Sequence, residues 1–448
     1  MDAFRFKRNT AWKQICHDKA EQLCLPVDDT VYIGLHGDGV PFTKSDSIEI
    51  ISYNFLNDPS GQRIPFTAVS KKHICQCCKG KHTWDAILEV FRWSMMMLVV
   101  GEVSTLLPDR SEWQLSEKAK LLAAGVQLAA RAILCQIRSD WPFLCTLFNV
   151  PQWNSIMMCW LCKAGGRGHP NSFTNCRRDA PWRSLRYKPG EFFARLYASG
   201  RSLCPLLMLP AMCVSCIVLD WLHVMDLGVS QDVIGCFFYD LLTTPGILHG
   251  TTQQIRLKSL WGVLQTWYKQ ASPPSRLDHL TMEMVRRSGC KPKLRAKGAE
   301  TRYLVPFAAT LARKFMHVSE HLKTVAHLLI QLYILQLMVS GTMEWDYGSA
   351  CEACQKFCDF YGALQDEAIA EGRDFTWQVK PKVHLMIEMI CYLSHETGNP
   401  SEYWFYRDES WVGFWASASH RRGGHNNPAT TTLRFLQRFL ALENLRES

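Results

Sequence analysis

The chain has 448 residues, 47% of them hydrophobic, which is enough for a sizeable core and more than one ordinary domain and excludes a disordered or fibrous protein. Lysine and arginine outnumber aspartate and glutamate by 50 to 41, a net charge of +9 that favours polyanionic partners without specifying one. Nineteen cysteines lie in apolar segments with no secretory leader pattern ahead of them, so reduced thiols in a reducing compartment are expected, either buried or metal-bound. The lead-in, residues 1–29, mixes Arg5, Lys7, Arg8, Trp12, Lys13 and Lys19 and predicts one helix ending at Pro26. The run Val31 to Gly39 then alternates aliphatic residues with Tyr32, Gly34 and His36, the pattern of a half-buried strand, and sets Asp38 between Gly37 and Gly39 on the face opposite Val31, Ile33 and Leu35. A carboxylate so placed is either a solvated Asp-Gly turn or a ligand to a metal or phosphate.

Ile48 to Leu56 and Ile64 to Ser70 are rich in Ile, Phe, Val and Tyr and complete an antiparallel meander with the first strand. His73 to His82 encloses a Cys-x-x-Cys between two histidines, either a zinc knot or a thiol-rich loop, and leads into a predicted helix from Thr83 to Val100. Ala132 to Asp140 reads as a buried strand, and Trp141-Pro142 opens a helix to Phe148. Asp140 is then either an N-cap or, if it meets Asp38, part of a site.

Cys159-Trp-Leu-Cys162 positions two thiolates for one tetrahedral ion, with His169 or Cys176 available to complete a zinc site, and two buried thiols as the alternative. The run Leu203 to Leu219, broken by Pro205 and Pro210, reads as buried strand and loop rather than a membrane span, with its strand at Met212 to Leu219. Asp220 and His223, three apart at a strand-to-helix junction, share one helical face for capping or for a metal or phosphate. From 230 to 375 the pattern is helical: Val233 to Leu242, Thr252 to Gln270, Asp278 to Ser288, Thr301 to Lys314, Ser319 to Val339 and Tyr347 to Glu371. One basic loop interrupts it, carrying Arg286, Arg287, Lys291, Lys293, Arg295 and Lys297, either solvated or in contact with phosphates. Lys380-Pro-Lys382-Val-His384 follows, then a helix carrying Glu409 in its first turn and ending near a second basic patch, Arg421 and Arg422.

The order strand with Asp38, two strands, helix, strand with Asp140, Cys-x-x-Cys, Asp220-x-x-His223, helical insertion, helix with Glu409 resembles the RNase H-like DDE transposases, nearest to the CACTA (EnSpm) group. Lys380-Pro-Lys-x-His384 also looks like the stretch that precedes the Glu helix in that group. The resemblance implies an α/β fold, an RNase H-like mixed sheet with a large all-helical insertion and a Cys-x-x-Cys loop. The parts would be a lead-in at 1–29, core at 30–150, Cys-x-x-Cys loop and last core strand at 151–229, insertion at 230–375 and return to the core at 376–448. It further implies metal-dependent DNA cleavage and strand transfer by Asp38, Asp140 and Glu409 holding two Mg or Mn ions, while structural Zn at Cys159 and Cys162 stays one of the two readings of that turn. Asp408 beside Glu409, Glu388, Glu396 and Glu402 nearby and, less directly, Glu300 are rivals for the third carboxylate. DNA would be the partner, with no membrane, a nuclear or otherwise cytoplasmic location, and room for a homo-oligomer. His223, Lys380, Lys382, Arg421, Arg422 and the basic loop would contact the DNA. With 37 residues ahead of Asp38 there is no space for a separate end-recognition domain, so the other expectation is a domesticated, non-catalytic nucleic-acid-binding or interaction protein.

Overall fold

Helix α1 (Ala11–Gln22) precedes β1 (Thr30–Pro41), β2 (Ser47–Phe55) and β3 (Ile64–Ser70). Helix α2 (Lys81–Val100), β4 (Arg131–Ser139), α3 (Trp141–Phe148) and α4 (Pro189–Ala198) follow. The helical stretch comprises α5 (Ser230–Thr243), α6 (Gln253–Ala271), α7 (Gly298–Phe315), α8 (Glu320–Val339), α9 (Tyr347–Ala370) and α10 (Pro381–Ile387), and α11 (Tyr406–His420) comes last. This computed structural model describes residues 11–41, 46–114, 122–198, 203–373, 375–420, 434 and 436–441. The chain divides into a first unit, Met1–Gln152 with Tyr187–Val218 and Phe405–Ser448, and a second, Trp153–Arg186 with Leu219–Trp404.

The first unit is built on a mixed sheet of order β3-β2-β1-β4, antiparallel through β3, β2 and β1 and parallel between β1 and β4. The expected meander is present with the expected strands. The half-buried reading of β1 needs correction, because Thr30 through Asp38 are all buried. A strand with neighbours on both edges and helices on both faces leaves neither side to water. On the face that carries His36 and Asp38, Val412 and Trp415 of α11 pack against Ile48, Ile50 and Ala68, each large side chain contributing about 1.5–3 kcal/mol. Farther along that face Cys16 and Ala20 of α1 cover Tyr32, Ile133 and Cys135. On the other face Phe143 of α3 presses so close to Gly37 that a Cβ there would lie 2.2 Å from its ring. Trp84 of α2 meets Phe143 edge-on at 5.4 Å.

The expected strand at Met212 to Leu219 is not formed. Pro205–Met208 and Val214–Cys216 are 3-10 turns, and Ile217 alone bridges Ile137 in parallel. Val218 N–H donates to Ile137 O at 3.1 Å, one ladder bond in place of a strand. The 3-10 turn at Val214–Cys216 takes up the middle of the expected strand and leaves Ile217 and Val218 to meet β4.

In the second unit the helices match their predicted positions, with one exception. The stretch 278–288 yields a single turn, Met282–Val285. Beyond it the chain folds back, with Lys293 N–H on Val285 O, Arg295 N–H on Met284 O and Leu294 N–H on Gln231 O of α5. Gly235 makes that approach feasible, since a Cβ there would sit 2.5 Å from the backbone of Lys293.

Candidate metal centre

Cys159 and Cys162 occupy a tight turn in the second unit closed by Met158 N–H to Ala164 O at 3.1 Å, and Leu161 N–H donates to Cys159 Sγ at 3.3 Å. Helix α10 starts with Pro381 in its first turn, where its missing N–H does no harm, and carries His384. Glu388 follows four residues later, where the helix widens into a π-turn, Glu388–Leu393, so both side chains lie on one face. The ligand atoms of Cys159, Cys162, His384 and Glu388 all fall within 4.8 Å of one another, and all four residues are buried. Cys162 Sγ is 3.5 Å from His384 Nε2, His384 Nε2 is 3.4 Å from Glu388 Oε1, and Cys159 Sγ is 3.9 Å from the same oxygen. The second carboxylate oxygen of Glu388 takes a 2.7 Å ion pair from Arg186, which itself lies over the Tyr392 ring. Trp182 holds the His384 ring edge-on at 4.3 Å.

Proton affinities in the cluster follow from that packing. Burial pushes the Cys159 thiol up, but the hydrogen bond from Cys162 and the His384 charge outweigh it and bring it down to about 6. Cys162 is pushed up, because it donates to Cys159 and is itself buried. Burial pulls His384 down, yet Cys159 and Glu388 raise it above its ordinary value. Two thiols, an imidazole and a carboxylate in a dry site form a donor set that could hold a metal ion.

A second such group lies in the first unit: Cys75, Cys77, Cys78 and His82. Cys75 and Cys78 sulfurs are 3.1 Å apart and Cys77 Sγ is 3.5 Å from His82 Nδ1, but Cys77 and His82 are exposed. Gly80, with φ of +93°, turns the loop into α2. Neither His169 nor Cys176 completes the Cys159 site. His169 Nδ1 accepts from Asn171 N–H at 3.0 Å, and Cys176 Sγ donates to Cys358 O at 3.4 Å. The completing pair comes from more than 220 residues farther along the chain. His384 stood out in the Lys-Pro-Lys-x-His stretch. The signal for its partner was a His-x-x-x-Glu spacing flanked by Val383, Met386, Ile387 and Ile390, an apolar face on which a charged residue needs a ligand or a counterion.

The parallel β1–β4 pairing runs to Gly37 opposite Ser139, whose Oγ donates to Gly37 O at 2.7 Å, so Asp38 and Asp140 each follow the last paired position. Asp140 is also an N-cap, its Oδ1 accepting from Phe143 N–H at 2.8 Å. Glu49 lies close enough that, after burial, both aspartates raise its carboxyl above the usual range, while Lys71 opposes them. Glu409 is half-buried on α11, but among the described residues its ligand atoms do not join those of Asp38 and Asp140 within 4.8 Å. The residue turned to the sheet is Asp408, fully buried, with Arg63 Nε at 2.9 Å and Arg138 Nη2 at 3.4 Å. Burial would raise its carboxyl, yet Arg138, His36 and Arg63 hold it well below the usual range.

Among the rivals, Glu388 belongs to the cysteine cluster, and Glu300 accepts from Lys297 N–H at 2.8 Å as part of a capping box on α7. Glu396 and Glu402 are exposed. Asp220 and His223 lie in the second unit, where Asp220 Oδ2 is 2.9 Å from His223 N and 2.7 Å from His223 Nδ1, the capping arrangement. The basic residues separate into two kinds. Lys380 pairs with Asp232 at 2.6 Å, and Lys382 donates to His223 O at 2.6 Å and Leu227 O at 3.2 Å, carbonyls of the π-turn Leu222–Val229. Lys293 is half-buried near Leu227 O, and Arg286 lies over Tyr239 and Phe375. These four are framework contacts rather than a free cationic surface. Arg287, Lys291, Arg295 and Lys297 are exposed, although Lys291 donates to Gln378 Oε1 and Lys297 lies 3.9 Å from Glu300. Arg421 and Arg422 lie outside the described residues. No protein-family model matches the chain, and no curated protein matches it significantly.

Proposed function

We propose that the first unit is an RNase H-like core of DDE transposase type that cleaves DNA phosphodiesters with Mg or Mn ions, and that the Cys159 cluster holds a structural zinc. The observation that supports the first part is the parallel β1–β4 pairing, whose last pair is Gly37 and Ser139, the residues immediately before Asp38 and Asp140. Hard oxygen donors there suit Mg or Mn, which when bound would activate a water or 3′-hydroxyl and stabilise the leaving oxygen. Asp38 would offer an oxygen from the strand, and Asp140 would offer the oxygen not engaged by Phe143 N–H. Glu409 would be the third carboxylate, from the helix packed against β1, and the exposed Arg287, Lys291, Arg295 and Lys297 would contact phosphates. For the zinc, the 3.4–3.9 Å separations agree with the roughly 3.3–3.8 Å edges of a tetrahedral Zn site with sulfur and nitrogen ligands.

One observation favours a second reading, a domesticated DNA-binding or interaction protein. Glu409 does not converge on the aspartates, while its neighbour Asp408 is locked in an arginine ion pair. Manganese-dependent cleavage of supercoiled and end-labelled DNA decides between them. Cutting by wild type and not by Asp38→Ala or Asp140→Ala supports the nuclease, whereas equal cutting by all three, or by none, leaves the binding protein.

A further inference from the structure

Another Cys-x-x-Cys, in the first unit, meets a lysine instead of a histidine. Lys19 of α1 is 6% exposed, and its Nζ donates to Ala211 O at 2.6 Å with Cys216 Sγ at 3.2 Å and Cys213 Sγ at 3.4 Å. The two sulfurs are 3.5 Å apart, held by a single turn in which Cys216 N–H donates to Cys213 O at 3.1 Å. Cys213 is half-buried, with Ser215 Oγ 3.0 Å from its sulfur, and Cys216 is buried. We propose that Cys213 and Cys216, paired with Lys19, form a redox-active dithiol in which Cys213 is the nucleophile, Cys216 the resolving thiol and a small-molecule disulfide the oxidant.

Electrostatics select this chemistry over metal binding. A buried ammonium needs an anion, and the ionisable groups that act on Lys19 most strongly are the thiols Cys216, Cys213 and Cys135. The ammonium occupies the position a cation would need, so two thiolates cannot be gathered there for zinc. Accessibility divides the roles: the half-buried Cys213 is reachable, and Cys216 behind it keeps its proton. The hydrogen bond from Cys216, then Lys19 and Ser215, bring Cys213 down to about 4 against the opposing effect of burial, while Cys216 is pushed up. The exchange balances in two steps. Cys213 thiolate attacks one sulfur of the oxidant, forming a mixed disulfide and releasing one thiolate. Cys216 then loses its proton to solvent and attacks Cys213 Sγ, closing the Cys213–Cys216 bond and releasing the second thiolate. Two protein thiols are oxidised and one disulfide is reduced. Closure removes the anion beside Lys19 and weakens the seat of α1 on Tyr32, Ile133 and Cys135.

The test uses the full chain with glutathione disulfide, mapped by mass spectrometry, and iodoacetamide labelling from pH 5 to pH 8 with exposed Cys290 as internal reference. Cys213 is expected to label at a nearly constant rate across that range, on the order of tenfold faster than Cys290 at pH 5. Glutathione disulfide should give the Cys213–Cys216 bond in wild type and stop at a mixed disulfide on Cys213 in Cys216→Ser. Lys19→Gln should convert the flat profile into one rising about tenfold per pH unit. If that variant does not fold, wild type and Cys216→Ser decide alone. A Cys213 rate that tracks Cys290 at every pH overturns the proposal, as does glutathione trapped elsewhere than Cys213 or a bound zinc that protects Cys213.

Discussion

Cys159-x-x-Cys162 and Cys213-x-x-Cys216 share a spacing and little else. The first turn faces an imidazole and a carboxylate, the second an ammonium. An imidazole can give up its proton and take a metal ion in its place, while a lysine ammonium holds its proton and leaves a charged thiolate. The motif supplies two sulfurs; the groups that tertiary folding brings against them decide whether they coordinate or react.

The largest effect should come from exchanging one cysteine in each turn. Cys162→Ser is expected to release the proposed zinc and destabilise the second unit by more than about 3 kcal/mol, as incomplete buried sites do. Cys216→Ser should leave zinc content unchanged, so metal analysis with calorimetry of both variants tests the contrast directly. Next is Arg186→Met in chelator-treated, metal-free protein, which leaves the fully buried Glu388 without its arginine and should cost about 2–3 kcal/mol in denaturant unfolding. Adding Glu388→Gln should recover part of that loss if the pair is coupled.

A smaller effect is the pH dependence of the reactive turn. Cys213 titrates near 4 in the fold against a thiol's ordinary 9, so its contribution is complete above about pH 9 and declines to nothing as pH falls through 4. Hydrogen exchange of α1 amides should therefore speed up on acidification beyond its intrinsic pH dependence, and Lys19→Gln should flatten that excess. The smallest effect concerns acid among acids. Glu49 is raised by burial and by Asp38 and Asp140, so its penalty is present above its folded pKa and absent below about pH 4.5. Glu49→Gln should stabilise the first unit by under about 1 kcal/mol at pH 7 and by nothing at pH 4, readable in thermal unfolding.

Local chemistry made much of this legible. Period-two alternation located β1, β-branched and aromatic content located β2 and β3, and the Asp140-Trp-Pro sequence located the cap and start of α3 to the residue. Helical spacing found α5 through α9. Patterns failed where backbone pairing took another course: residues 293–295 bonding to 284, 285 and 231 cut a predicted helix to one turn, and the 3-10 turn at Val214–Cys216 reduced a predicted strand to a bridge at Ile217.

By itself the sequence determined the elements, the caps, the Cys-x-x-Cys turns and the candidacy of Asp38 and Asp140, because each depends on residues within about one turn or one strand. Only the tertiary structure decided which groups met. It chose His384 and Glu388 over His169 and Cys176, seated Lys19 between Cys213 and Cys216, and turned Asp408 rather than Glu409 toward the sheet. Charge partners act through space over a few ångströms, and separations of 192 to 345 residues along the chain carry no local signal of that proximity.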